Sequence, residues 1–428
     1  MVMLQLLACA FLPLFKGGIK DPTSTDSYRA IAGSSQVLKL FDYVVLEIWG
    51  HHLNSDSMQF GFKEKASTTQ CSWLVMEVCQ YYLRKGTPAI CTLLDCSKAF
   101  DKCLFDQLFK KLLKRKVPPI VVRTLIYIYE EQEGCVKLAG ISSTAFSITN
   151  GTRQGSVLSP TLFSVYLDGL LKLLRQKGLG CHIAGMWFGA VGYADDLALL
   201  APNRESMARM LEVCESYAKD HNLVFSTDEN PIKSKSKCVY MCGKKGNVVS
   251  DQAPVNLVLN GKNLPWVSSA THLGHEIHQA CNMDQDVKIK RAIFIERSVE
   301  IRETFSFALP EQVLSAVQIY ALHLYGGMLW DFDSAKTGEF CRAWRTCVKL
   351  VHRVPRSTRT FIVDHYLAAN FDPVLTELFA GYVKFVSSLK SSASIEVQTL
   401  FSIISKDNKS NTGSNIHVIQ TKTGLNPL

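Results

Sequence analysis

Gly192-Tyr193-Ala194-Asp195-Asp196 stands between two short apolar runs, residues 187–191 and 197–201. Two apolar runs broken by a polar tip predict a β-hairpin that carries two acids at its end. About a hundred residues earlier, Ala89-Ile90-Cys91-Thr92-Leu93-Leu94-Asp95 reads as a strand that also ends in an acid. If strand and hairpin share one sheet, the carboxylates of Asp95, Asp195 and Asp196 converge. Such a cluster is costly unless a cation neutralises it. Mg²⁺ suits it, because a hard cation takes carboxylate oxygens and keeps positions open for phosphates. Two such ions about 4 Å apart can activate an attacking hydroxyl and stabilise a leaving pyrophosphate. Either acid alone reads as an ordinary surface turn residue, so the neighbourhood has to decide.

Outward from these strands the pattern is mixed α and β. A helix is expected around residues 71–85. Another follows Asp95, with Leu104, Leu108 and Leu112 on one face beside Phe105, Phe109 and Leu113, and Asp101 in the N-cap position. Ser159-Pro160 predicts a sharp helix start, with Ser as cap and Pro at the first helical position. Phe163, Tyr166, Leu167, Leu170 and Leu174 form its apolar stripe. A further helix spans 204–219, and strands are expected at 238–241, 255–259 and 264–267, with Asn260-Gly261 as a turn. From residue 284 the chain changes to long basic helical patterns, which places a domain boundary near 280. The region from 406 is rich in Ser, Asn, Lys and Thr and reads as disordered.

Composition bounds the function without choosing it. The chain has 428 residues, 47% of them hydrophobic and 20% charged, as in a globular protein with a large core. The net charge of +9 permits a polyanionic partner. The fourteen cysteines are scattered with no CxxC pair, which points to reduced thiols inside a cell, in nucleus or cytoplasm. The apolar start, residues 1–15, has no Lys or Arg ahead of it and is too short to cross a bilayer, so neither a secretory leader nor a membrane anchor is expected.

The motifs around the acids resemble those of reverse transcriptases, and most closely the non-LTR (LINE-type) retrotransposon branch. Tyr193-Ala194-Asp195-Asp196 is similar to the YxDD box, and Asp95-Cys96-Ser97-Lys98-Ala99-Phe100-Asp101 to the DxSKAFD box. Gly151-Thr152-Arg153-Gln154-Gly155-Ser156-Val157-Leu158-Ser159-Pro160 resembles the GxxQGxxLSP box, and Gln59-Phe60-Gly61-Phe62-Lys63 the QFGFR segment. Tyr28-Arg29-Ala30-Ile31 is similar to YRPI, Lys235-Ser236-Lys237 to the motif D lysine region, and Leu273-Gly274 to motif E. Seven blocks in family order, from about residue 28 to 280, make the resemblance specific.

The resemblance implies an α+β right-hand polymerase: fingers and palm over 1–280, a helical thumb over 281–395, and a polar, disordered tail over 396–428. It implies an RNA-directed DNA polymerase that takes an RNA template, a DNA primer and deoxynucleoside triphosphates, and uses two Mg²⁺ ions, with Mn²⁺ as a substitute. Asp95 and Asp195 would be the shared metal ligands and Asp196 a supporting carboxylate. Phe100 would sit beneath the sugar as a gate against a ribose 2′-OH, or else simply pack in the core. Gln154 and Gly155 would border nucleotide and template, Arg29 (with Lys16 as a weaker candidate) would grip the triphosphate, and Lys235 would protonate pyrophosphate or belong to a solvated charge run. Lys288, Lys290, Arg291, Arg297, Arg302, Arg342, Arg345, Lys349, Arg353 and Arg356 would offer backbone contacts to a duplex.

The chain departs from the family pattern at Ala30, where the proline of YRPI is expected, and at Lys63, in place of arginine. No endonuclease pattern precedes the polymerase blocks, so a truncated element product is expected. A catalytically inactive remnant that only binds nucleic acid is the alternative. An RNA-dependent RNA polymerase shares the same palm chemistry, but Phe100 and the Tyr-Ala-Asp-Asp tip argue against it. His272, His275, His278 and Cys281 are spaced as in a zinc site, yet strand alternation around motif E would turn them apart.

Overall fold

The computed structural model describes residues 9–17, 21–228, 230–241, 256–368 and 374–428. At its centre is a five-stranded sheet in the order Trp266–Val267, Lys237–Met241, Ala89–Asp95, Asp196–Ala201, Ala190–Tyr193. The Ala89–Asp95 strand lies between two antiparallel neighbours and is buried along its length up to its terminal acid. A continuous apolar run suits such a doubly covered position. The Thr68–Arg84 helix packs on this sheet, capped by the Ser67 side chain, and the helices Ser159–Gln176 and Arg204–Asp220 pack on its hairpin strands. All five expected stripe residues of the Ser159–Gln176 helix are buried.

A second sheet joins Cys9–Phe15 to Tyr28–Gly33 antiparallel and to Glu133–Leu138 parallel. One contact with the first region is at the loop after Gly151, where the Ala32 amide donates to the Gln154 carbonyl at 2.6 Å. The strand expected at 238–241 is present as Lys237–Met241, whereas those expected at 255–259 and 264–267 are only Val258–Leu259 and Trp266–Val267. Val258–Leu259 pairs with Lys262–Asn263 around Asn260 (φ 53°) and Gly261 (φ 72°), two successive left-handed residues as a tight hairpin turn requires. Residue 255 and the first eight residues of the apolar start lie outside the described residues.

Three sequence expectations need correction. Asp101 does not cap the following helix: that helix is Phe105–Lys114 with Leu104 in the cap position, and Asp101 lies in a 3-10 turn, Ala99–Lys102. Ser159 is the first helical residue rather than the cap, which is Leu158. The 396–428 segment is ordered: Ile395–Ile404 and Asn411–Thr423 are helices capped by the Ser394 and Ser410 side chains. Their caps account for part of the polar composition that reads as disorder. Val397, Leu400, Phe401, Ile404, Ile416 and Ile419 are buried beneath that polar surface. Asn415 is fully buried, accepting from the Phe332 amide and donating to the Trp330 carbonyl.

After the Ser269–His272 and His275–His278 hairpin, the chain continues in helices Asp284–Thr304, Pro310–Tyr320 and Ala335–Val351. Trp330 and Trp344 are core residues here, whereas Tyr320 and Tyr325 are exposed.

Candidate active site

Adjacent antiparallel strands bring the acids together. Asp196 is the direct cross-strand partner of both Asp95 and Tyr193, so Ala194 and Asp195 form the tip of the hairpin. The end of the Asp95 strand is tied down on three sides. Its amide donates to the buried Ser236 hydroxyl (3.2 Å), its carbonyl accepts from the Ser226 amide (2.8 Å), and Cys96 bridges to Phe225. Lys235 brings its ammonium to 3.4 Å from the Asp95 carboxylate.

Burial and like charge act together on Asp195 and Asp196. Burial, with Asp95 adding like charge, raises the pKa of Asp195, while the positive charges of Lys235 and Arg29 pull it back. Asp196 is pushed up to about 6, chiefly by burial and then by Asp195 and Asp95. Among the described residues no three His, Cys, Asp or Glu side chains are gathered into a ready-made metal cage. Paired carboxylates with open positions beside them suit Mg²⁺, which takes its other ligands from water and substrate phosphates. Asp95, Asp195 and Asp196 are the carboxylates that could hold such an ion.

The other expected site residues fall around this point to different degrees. Arg29 is exposed on the Tyr28–Gly33 strand and acts on Asp195 through its charge. Phe100 is half-buried, stacked on Phe163 with centroids 4.3 Å apart and meeting the edge of Phe62 at 6.1 Å. Gln154 donates to the Asp101 carboxylate at 3.0 Å. At Gly155 (φ 111°) a Cβ would stand 2.9 Å from the Ala32 carbonyl, so the close approach needs glycine. Lys16 is turned elsewhere, donating to the Asp26 carbonyl at 2.6 Å. Asp26 itself pairs with Lys98 at 2.9 Å.

Two residues that residue-type reasoning does not single out stand closest to the tip. The buried Gln59 side chain holds the Ala194 peptide, and Gly61 packs beneath it. The only hint in the sequence is that both lie in the Gln59-Phe60-Gly61-Phe62 block, ahead of a helix that packs on the sheet.

The histidine and cysteine series splits: His272 and His275 meet, against the expectation that strand alternation would part them, while His278 and Cys281 find partners elsewhere. His272 and His275 are cross-strand partners, and burial pushes both down to about 4. His275 stacks on Tyr325, His278 accepts from the Ala280 amide, and Cys281 contacts Cys79 and the Met76 carbonyl. Of the basic residues from 288 to 356, several are engaged within the helices. Lys290 binds Asp286, Arg291 binds Glu339, Arg297 contacts His323 and Arg345 binds Asp364. Lys288, Arg342, Arg353 and Arg356 are exposed.

A family model described as reverse transcriptase (RNA-dependent DNA polymerase) matches residues 19–277. A Pol polyprotein from a type-1 R2 retrotransposable element of Nasonia vitripennis is 25% identical over 48% of this chain and 20% of its own length. The RNA-directed DNA polymerase from the mobile element jockey of Drosophila melanogaster is 29% identical over 49% of this chain and 24% of its own. The chain thus spans about a fifth to a quarter of the length of these curated relatives. A solved apo telomerase from Candida tropicalis aligns with 98% of this chain and 68% of its own at 11% identity, with a TM-score of 0.45.

Proposed function

Since the chain belongs to the reverse transcriptase (RNA-dependent DNA polymerase) family, we propose that it copies retroelement RNA into DNA by nucleotidyl transfer at Asp95 and Asp195. One observation carries this reading: Asp95 and Asp196 are cross-strand partners, with Asp195 at the adjoining tip and its pKa raised by burial. Acids gathered and perturbed in this way are candidates for a functional site, and a cation would offset their charge.

Asp95 and Asp195 would hold the divalent metals, Mg²⁺ by preference, with Asp196 as a supporting carboxylate. The ions, when bound, lower the pKa of the attacking hydroxyl and neutralise charge on the leaving group. The chain itself orients the reactants. Gln154 and Gly155 border the nucleotide and its template, Arg29 meets the triphosphate, and Phe100 lies under the sugar as a gate against ribose. A primer 3′-hydroxyl gives up its proton to solvent and attacks the α-phosphorus in line; the new P–O bond forms as the bond to pyrophosphate breaks. Lys235 gives the leaving pyrophosphate its proton. Transfer of this kind depends on positioning and charge neutralisation. The RNA template and DNA primer lie against the exposed basic residues of the helical region from 284 onward, the thumb, through backbone contacts. Its buried free thiols support work in a reducing compartment within the cell.

The competing reading, a remnant that binds nucleic acid without turnover, is disfavoured because the acids, their backbone supports and Lys235 are all in register. Primer extension on an RNA template with Mg²⁺ decides between them. Incorporation of deoxynucleotides by the parent and none by Asp195→Ala supports the polymerase; no incorporation by either overturns it. Equal use of ribonucleotides would favour an RNA polymerase instead.

A further inference from the structure

We propose that Gln59 is a positioning residue for the catalytic acids, holding the Ala194 peptide and thereby setting where Asp195 stands; this rests on the polymerase reading above. Ala194 is at φ 56°, in the left-handed region that an alanine adopts only when its surroundings impose it. The two-residue hairpin tip between Tyr193 and Asp196 calls for it, and Gln59 locks the peptide in place. Its Oε1 accepts from the Ala194 amide (2.9 Å) and the Gly61 amide (2.9 Å), and its Nε2 donates to the Ala194 carbonyl (3.2 Å). One side-chain amide thus pairs with both polar groups of a single residue, as a neighbouring strand would.

The backbone around Gln59 extends the same grip. The Phe60 amide donates to the Gly192 carbonyl (2.7 Å) and the Gly192 amide to the Met58 carbonyl (2.9 Å), so residues 58–60 run as a short parallel partner of the hairpin. Gln59 is 1% exposed, so solvent cannot replace its amide. At Gly61 a Cβ would fall 2.3 Å from the Ala194 nitrogen, so the segment approaches the tip as closely as atoms allow. Asp195 follows Ala194 directly, and any turn of the Ala194 peptide displaces its carboxylate. A displacement of about 1 Å at a reacting centre costs on the order of a hundredfold in rate.

The test is single-nucleotide primer extension by the full chain on an RNA template with Mg²⁺, for the parent, Gln59→Leu and Gln59→Glu. Gln59→Leu is expected to lower kcat roughly 100-fold while KM for the nucleotide and Kd for primer–template stay about parental. Gln59→Glu keeps the acceptor but donates to the Ala194 carbonyl only when protonated. Its rate relative to the parent is expected to rise as pH falls from about 8.5 to about 6.5, because a buried carboxyl titrates high. A parental kcat in Gln59→Leu overturns the inference while leaving the polymerase reading intact, and so does a Gln59→Glu ratio that is flat with pH. If Gln59→Leu fails to fold, the Gln59→Glu ratio decides alone. An inactive parent overturns the polymerase reading and this inference with it.

Discussion

Asp95 and Asp196 sit opposite each other on neighbouring antiparallel strands, with no residue of either strand between them. The pKa of Asp196 is raised to about 6, first by burial and then by Asp195 and Asp95, so in the metal-free protein it is a reservoir of pH dependence. An acid whose folded pKa lies above its unfolded value stabilises the fold while protonated, and that contribution is lost as pH rises through the folded pKa. Metal-free protein is therefore expected to lose stability between about pH 4 and pH 7, by roughly 1–2 kcal/mol after discounting for partial exposure. Mg²⁺ should raise Tm more at about pH 7.5 than at about pH 5, and Asp196→Asn should flatten part of the metal-free pH slope, leaving the share of the also raised Asp195. Thermal unfolding with and without Mg²⁺ measures both; a Mg²⁺ shift independent of pH would count against the cluster as a cation site.

Phe100 is fixed from two directions, by the face of Phe163 and the edge of Phe62. A ring held this firmly can exclude a 2′-hydroxyl, whereas a loose one would move aside. Phe100→Val is expected to narrow the preference for deoxynucleotides over ribonucleotides by about 10- to 100-fold, with a smaller fall in the rate with deoxynucleotides. Loss of the aromatic contacts should cost about 1 kcal/mol of stability. Competing single-nucleotide incorporation with both sugars gives the ratio. Unchanged ribonucleotide use would leave Phe100 a packing residue only.

The central sheet is legible in the sequence because its signals are local. An apolar run ending in Asp95 and a hairpin ending in Asp195-Asp196 each mark a strand and its tip, and the motif order places them in one sheet. The Gln59 contact with Ala194 is not legible, because it joins segments 135 residues apart through a side-chain amide. Asp101 misleads because a good capping residue stands in the right window, yet the 3-10 turn delays the helix to Phe105. The basic residues after 284 reveal net charge but not their partners, and Glu339, Asp286 and Asp364 claim several of them. The C-terminal segment misleads for a different reason: its Ser, Thr and Asn residues cap helices and satisfy buried groups, a role composition cannot separate from solvation.

That C-terminal segment is part of the core's support. Glu77, 2% exposed on the Thr68–Arg84 helix, accepts from the Thr412 hydroxyl at 2.6 Å and the Thr412 amide at 3.0 Å. The same hydroxyl accepts from the Trp73 indole at 2.9 Å. Thr412→Val keeps the shape and the amide but leaves one lone pair of a buried carboxyl and one indole N–H without partners. A loss of about 2–6 kcal/mol is expected, from two unmet buried groups costing roughly 1–3 kcal/mol each. Urea unfolding reads it as a lower midpoint at unchanged m. A loss below about 0.5 kcal/mol, the range of ordinary surface substitutions, would mean the segment is a passive cover.

Lys235 raises the last question, because its ammonium at 3.4 Å from Asp95 can act either as a positive charge or as a source of protons. It is largely exposed, so it is free to swing from the carboxylate to a leaving pyrophosphate. Removing the charge with Lys235→Met should lower kcat under either role. Arginine separates them, since a guanidinium keeps the charge but does not release a proton at working pH. If Lys235 is the general acid, Lys235→Arg is expected to remain about 100-fold slow, within the range for losing such a group, with primer–template Kd unchanged. Rapid-quench single-turnover kinetics isolates the chemical step from product release. Restoration of the parental rate by arginine would assign Lys235 to charge balance at Asp95 and leave protonation of pyrophosphate to solvent.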